Sequence, residues 1–305
     1  MAGVVVLAGG TGGAKLARGM LDVVGDELVV IANTADDVEI HRGHVSPDPD
    51  LVTFWLADRI DERGWGLAGD TFAVMDALRE LGEDVWFNLG DRDLAICLRR
   101  AERLAQGARH TDAQHELGLS LGLRARVLPM SDRPVRTQVF AGGRWWPFQE
   151  FMIRHGGEGP VEGVRLEGAE DARPSPEVLE ALARARAVVV GPSNPVISIG
   201  PILAVPGVRE AIAASGAPVV AVSPIVDGQV LKGPTAAFLA WAGQTMDAAG
   251  IAATYGDLLD GLVCDERADL GLPSLVTDTD MPDAAARERV ARETLAFASA
   301  LASSP

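Results

Sequence analysis

The chain has 305 residues, enough for two small domains or one large one with a sizeable core. Its 48% hydrophobic and 23% charged residues are ordinary globular proportions, which exclude wholesale disorder, a coiled coil and a collagen-like repeat. A formal net charge of −16 argues against a nucleic-acid binder with a basic surface and against an anionic membrane as partner. An anionic small substrate would need backbone amides, a few basic side chains or a divalent cation to reverse the potential locally.

Residues 3–8 (GVVVLA) form a β-branched run that stops at Gly9-Gly10-Thr11-Gly12-Gly13, and helical spacing follows over residues 15–22. No basic region precedes this run and no apolar stretch approaches the ~18 residues of a membrane span, so it reads as a first strand and not a signal peptide. The two cysteines, Cys97 and Cys264, lack C-x-x-C spacing and read as buried thiols of a cytoplasmic protein. A second run, residues 27–32 (ELVVIA), ends in the polar loop Asn33-Thr34-Ala35-Asp36-Asp37, giving the β–α–β opening of a parallel sheet.

From residue 51 to about 122 apolar residues recur every three or four positions, which predicts helices. Strand-like runs return at 125–128 and 136–140, the second turned by Gly142-Gly143 into a hairpin with Arg144-Trp145-Trp146. Residues 156–176 read as a polar connection. Apolar strands follow at 187–190 and 218–222, with candidates at 261–264 and 274–276 and an Ala-rich helix at 284–302. The expected fold is α/β: one Rossmann-like domain over residues 1–305, an open, mostly parallel sheet with a helical insertion at about 51–122.

Four constellations can carry chemistry. In the glycine run, Gly10, Thr11, Gly12 and Gly13 can bring amide N–H groups against a phosphate at a helix N-terminus, or simply make a tight turn. It is neither the dinucleotide fingerprint, because Lys15 stands where the third glycine belongs, nor a Walker A loop, because Ala14 precedes Lys15. Lys15 and Lys232 are the only lysines among 27 basic residues. Lys15 suits a phosphate contact, and Lys232 reads equally well as surface.

The acids Asp36 and Asp37 follow the second strand, and Ser46-Pro47-Asp48-Pro49-Asp50 precedes a helix. An extended Pro-Asp-Pro-Asp segment would turn Asp48 and Asp50 to opposite sides and give them different tasks. Asp50 either caps a helix starting at Leu51 or holds Mg²⁺ or a substrate hydroxyl. In Asn88-Leu89-Gly90-Asp91-Arg92-Asp93, Asp91 can cap a helix and Arg92 can pair with acids or stack on an aromatic ligand. Gly191-Pro192-Ser193-Asn194-Pro195, with Ser198, offers hydroxyl and amide donors at a strand end. His41 and His44 read as loop residues and not zinc ligands, since no H-x-x-x-H array is present, and no G-x-S-x-G elbow appears.

Taken in order, GGTGGAKLARG, NTADD, SPDPDLVT, NLGDRDLA, LPMSDRPVRT, FQEF, GPSNPVISIGPILAVPG and VSPIVDG resemble the 2-phospho-L-lactate transferases of coenzyme F-420 biosynthesis, including the branch that uses phosphoenolpyruvate. The resemblance runs from residue 9 to 228. It implies transfer of a phospho-acid, 2-phospholactate or enolpyruvyl phosphate, from a guanylyl diphosphate donor to the ribityl hydroxyl of the deazaflavin Fo. The products would be coenzyme F-420-0 or its dehydro form and GMP, with Mg²⁺ as cofactor.

By the same resemblance Asp50, Arg92 and Asn33 would contact Fo, with Asp50 catalytic. Gly10, Thr11, Gly12, Gly13, Lys15, Ser193 and Asn194 would hold the nucleotide phosphates, and Asp50 and Asp37 the metal. A cytoplasmic homodimer with small-molecule substrates, and no nucleic acid or membrane, is implied. The chain departs from the family where Val38-Glu39-Ile40-His41 follows NTADD, a place where many relatives carry an aromatic. A related regulatory branch that binds a UDP-sugar shares the glycine-rich and Ala-Asp-Asp loops. That branch resembles Gly-Asp-Ile-Arg-Asn where this chain has Asp48-Pro49-Asp50-Leu51-Val52.

Overall fold

The structure is a computed structural model that describes residues 3–230 and 233–303; Lys232 lies outside the described residues. Seven strands form the central sheet: β1 (Gly3–Ala8), β2 (Leu28–Ala32), β5 (Arg126–Pro129), β9 (Ala185–Val190), β10 (Val219–Val222), β13 (Gly261–Cys264) and β14 (Ser274–Val276). Their order is β14-β13-β10-β9-β1-β2-β5, and every pairing is parallel. Runs such as VVVLA and VVIA are buried on both faces, as strands must be when helices cover the two sides.

On one face α1 (Gly10–Val24), α2 (Pro47–Leu56) and α12 (Ala284–Ala302) pack through Leu16, Met20, Val52, Leu56, Val290 and Leu295. The other face is covered by α7 (Pro176–Ala183), α8 (Gly200–Ala204), α9 (Val208–Ser215), α10 (Thr235–Trp241) and α11 (Ala248–Tyr255), through Val178, Ile202, Ile212, Leu239 and Ile251. The chain moves outward from β1 to β2 and β5, then returns to place β9 on the opposite side of β1. The carboxyl ends of β1 and β9 therefore flank a topological switch point, where open α/β sheets form their ligand crevice.

Two smaller units sit around that crevice. The hairpin β3 (Val38–Ile40) and β4 (Gly43–Val45) turns through His41 and Arg42, both left-handed at φ 49° and 63°, the geometry a two-residue hairpin turn demands. It packs on α3 (Ala73–Glu80) and α4 (Asp91–Ala105) through Val45, Met75, Leu94 and Cys97, and α5 (His110–Ser120) follows. The second unit is an antiparallel sheet of β6 (Arg136–Ala141), β7 (Arg144–Pro147) and β8 (Gly163–Glu167), beside α6 (Phe148–Ile153) and closed by Val139, Phe151 and Phe238. A short hairpin, β11 (Ile225–Val226) and β12 (Gln229–Val230), completes the strands described. No single helix among the described residues is long and apolar enough to cross a membrane.

Three local expectations are corrected. Strand β8 lies inside the segment read as a polar connection, because its Gly163-Val164-Arg165-Leu166-Glu167 borders the sheet on only one edge and carries few apolar residues. Helix α2 begins at Pro47, so the Pro-Asp-Pro-Asp segment is helical: a proline at the first turn has the right φ and no N–H to lose. Asp50 is therefore not the cap; its own N–H already bonds the Ser46 carbonyl at 3.0 Å. Asp91 caps α3 instead of α4, its carboxylate accepting from Ala73 N at 3.1 Å and Val74 N at 3.0 Å. Asp70 does the reciprocal task for α4, accepting from Arg92 N and Asp93 N.

Candidate functional site

At the end of β1 the backbone turns into α1 through Gly10, whose φ of +62° suits glycine. The helix thus starts inside the glycine run, five residues before Lys15. A Cβ on Gly12 would drive into the Pro192 carbonyl, so this glycine lets α1 press against the loop after β9. Gly13 is buried behind it, and Thr11 and Lys15 are half-buried on the first turns of α1. Ser193 accepts from Gly9 N at 3.3 Å, tying the two loops of the switch point together. Asn194 is occupied locally: its Oδ1 accepts from Val196 N and Ile197 N, capping the π-helical turn Pro195–Ile199.

A carboxylate reaches this turn, and it belongs to Asp48. Its Oδ1 accepts from Gly10 N at 2.7 Å, at a helix N-terminus suited to an anion. Its Oδ2 accepts from Asn33 Nδ2 at 2.9 Å, while Asn33 Oδ1 is fixed by Ala35 N. Asp50 points the other way, because two residues along a helix is about 200° of rotation. It forms a two-pronged ion pair with Arg100 of α4, Nη1 to Oδ2 at 3.0 Å and Nη2 to Oδ1. Arg100 is 3% exposed and also donates to the His44 carbonyl and Gln114 Oε1. Arg92, on the first turn of the same helix, is exposed.

Asp36, Asp37, Asp48 and Asp50 are all buried, an unusual concentration of negative charge. Burial pushes the Asp48 carboxyl up to about 6 despite the donors from Asn33 and Gly10. Burial, reinforced by the charge of Asp48, holds Asp36 well above the usual carboxylate range, and its Oδ1 has no hydrogen-bond partner. Asp50 is also raised by burial, with Arg100 opposing. Asp37 accepts from Ser46 Oγ at 2.7 Å and pairs with His44 Nε2 at 2.9 Å. Burial lowers His44, but its bonds to Asp37 and Glu39 outweigh that and raise it. His110, which has no such bonds, is pushed down by burial to about 3 and stays neutral.

The loops named from sequence lie around this crevice, while Asp36, Asp48, Arg100 and His110 received no assigned role from the sequence. One signal was present: Arg100 continues the buried stripe Leu94, Cys97 along α4, and a charge on an apolar stripe demands a buried partner.

Glycine turn, buried acids and polar loop converge at the switch point of a parallel sheet, which defines a Rossmann-like α/β protein. More narrowly, the chain belongs to the 2-phospho-L-lactate transferase CofD family, whose pattern matches residues 4–290. It is 39% identical to the 2-phospho-L-lactate transferase of Methanosarcina mazei, covering 86% of this chain and 87% of that one. It is 40% identical to the phosphoenolpyruvate transferase of Kitasatospora aureofaciens, covering 97% of each. Two solved structures of protein BH3568 from Bacillus halodurans, one described as a member of the UPF0052 family, share the fold. Each has a TM-score of 0.62, at 20% and 19% identity, over 96% and 97% of this chain.

Proposed function

We propose that this chain transfers a phospho-acid, 2-phospholactate or enolpyruvyl phosphate, from a guanylyl diphosphate donor to the deazaflavin Fo in coenzyme F-420 biosynthesis, in the cytoplasm. The single observation that carries this reading beyond family membership is the pair of buried carboxyls Asp36 and Asp48, with Asp48 bonded to the glycine turn. In the reaction the Fo hydroxyl oxygen attacks the phosphorus that bears the acid. The bond from that phosphorus to the bridging oxygen breaks, and GMP leaves with the electron pair. Little covalent help is needed; orientation and charge stabilisation suffice.

Mg²⁺ fits these residues. Asp36 Oδ1 is an orphaned buried carboxylate oxygen next to Asp48, and hard oxygen donors suit Mg²⁺. Asp36 and Asp48 are the proposed Mg²⁺ holders, in place of the pair Asp37 and Asp50 named from sequence: the donors to Asp48, Gly10 N and Asn33 Nδ2, are neutral, whereas the Arg100 cation takes both Asp50 oxygens and Asp37 faces the imidazoles of His44 and His110. When bound, the ion would neutralise charge on the diphosphate. Amides of Thr11 and Gly12, with Lys15 and Ser193, would cradle the phosphates, the Gly13 amide being committed to the first turn of α1. Asn33, Asp50 and Arg92 would face Fo, with Arg100 holding Asp50 so that it orients the acceptor hydroxyl and takes its proton.

Thermal shift tests the ligand assignment. Fo and guanine nucleotides at hundreds of micromolar should each raise the melting temperature in the presence of Mg²⁺. Stabilisation by a UDP-sugar alone would replace this reading with that of a regulatory sugar-nucleotide binder.

A further inference from the structure

We propose that Asp37, His44 and His110 form a site for one divalent transition-metal ion, distinct from the oxygen-only Mg²⁺ site at Asp36 and Asp48, with an open coordination position toward the adjoining cavity. The three side chains come from the loop after β2, from β4 and from the start of α5, and each residue is less than a tenth exposed. Their donor atoms all lie within 4.8 Å of one another. Asp37 Oδ2 is 2.9 Å from His44 Nε2 and 3.9 Å from His110 Nδ1. An ion about 2.0–2.2 Å from each donor needs the donors roughly 3–3.6 Å apart, which these spans bracket.

A plain Asp37–His44 hydrogen bond explains half of this arrangement. It leaves His110 unexplained: its Nδ1 lies 3.9 Å from Asp37 Oδ2, too far for a hydrogen bond, while the opposite ring nitrogen, Nε2, is buried with no partner among the described residues. Thr34 Oγ1 and Thr111 Oγ1 beside it are also buried without partners. Native interiors rarely leave such groups unmet, and several together mark a place that something polar fills. The supporting contacts are those that orient metal ligands: Glu39 stands 3.2 Å from His44 Nδ1, and Ser46 donates to Asp37 Oδ1.

Two imidazoles and one carboxylate favour Mn²⁺, Fe²⁺, Co²⁺ or Zn²⁺ over Mg²⁺. A cavity of about 410 Å³ adjoins the three residues, with Thr34, Arg133 and Arg136 also on its wall. An oxyanion entering there would meet the open metal position and the guanidinium groups of Arg133 and Arg136, the latter paired with Glu39, with Asp132 also on the wall.

The test needs no substrate, so it stands or falls separately from the proposed transfer. Chelator-stripped protein is titrated with Co²⁺ in excess Mg²⁺, reading visible absorption. One Co²⁺ per chain should bind with bands stronger than those of the aqueous ion, and inorganic phosphate should shift them. His110→Gln and His44→Gln should each weaken binding by about 100-fold, while Asp48→Asn should change it less than about threefold. For the unmodified protein, spin-echo spectra of bound Mn²⁺ should show coupling to two imidazole nitrogens, a readout that does not depend on any variant folding. Absence of Co²⁺ binding over Mg²⁺, absence of nitrogen coupling, or undiminished binding by folded His110→Gln would overturn the site. Bands indifferent to phosphate would overturn the open position.

Discussion

At the scale of single residues, Asp48 and Asp50 divide the work that their shared motif concealed. A carboxyl whose folded pKa of about 6 lies above its ordinary value of 3.8 gives a contribution fully present below about pH 4 and lost as pH rises through 6. Above pH 6 the ionised Asp48, next to the coupled Asp36, weakens the fold. Mg²⁺ held by the ionised pair, as proposed, would offset that weakening. The increase in melting temperature that Mg²⁺ produces should therefore be small at pH 5 and grow through pH 6 to 8; equal increments at pH 5 and pH 8 would count against the assignment. Asp50→Asn should lower activity by about 100-fold and also destabilise the fold, because Arg100 is left buried and unpaired, a loss of about 3–5 kcal/mol. Adding Arg100→Met should restore the melting temperature but not turnover. A fully stable Asp50→Asn single variant would refute the structural half of its role. The motif itself was legible in the sequence, but which acid faced which partner was not: that depended on whether Pro47 opened a strand or a helix.

Among elements, the first helix shows how a phosphate-binding signature and a packing requirement overlap. The glycine run was read as a loop, yet it forms the first turn of α1, and Gly12 is pressed against Pro192. Gly12→Val should therefore lower stability by about 1–3 kcal/mol through overpacking, measurable by urea melts, before any nucleotide is added. Unchanged stability with weakened GMP binding alone would return Gly12 to a purely ligand-facing role. The α3–α4 junction makes a similar point. Asp70→Ala removes acceptors for the first amides of α4 and should cost about 1 kcal/mol, with faster hydrogen exchange at Arg92 and Asp93. Exchange unaltered at those two amides would show that solvent replaces the cap. Sequence spacing identified acids near helix starts, but reciprocal capping depends on two helices meeting, which no local pattern encodes.

For the whole molecule, the β-branched runs made the strands of the parallel sheet readable, while the order β14-β13-β10-β9-β1-β2-β5 followed from contacts far apart in the chain. That order brings the loops after β1, β2 and β9 together, and so converts scattered motifs into one crevice. It also hid β8, whose neighbours are set by β6 and not by its own composition. A chain of net charge −16 can accept an anionic donor there only if cation, amides and arginines reverse the potential locally. The most direct measurement of the proposed activity is mass spectrometry of Fo after incubation with Mg²⁺, GTP, the guanylyltransferase that makes the donor, and 2-phospholactate or phosphoenolpyruvate in parallel reactions. The account predicts a deazaflavin heavier by one phospho-acid unit in at least one reaction, with GMP released in equal amount and neither product formed in chelator. Unmodified Fo in every reaction, despite donor formation and a folded protein, would contradict it.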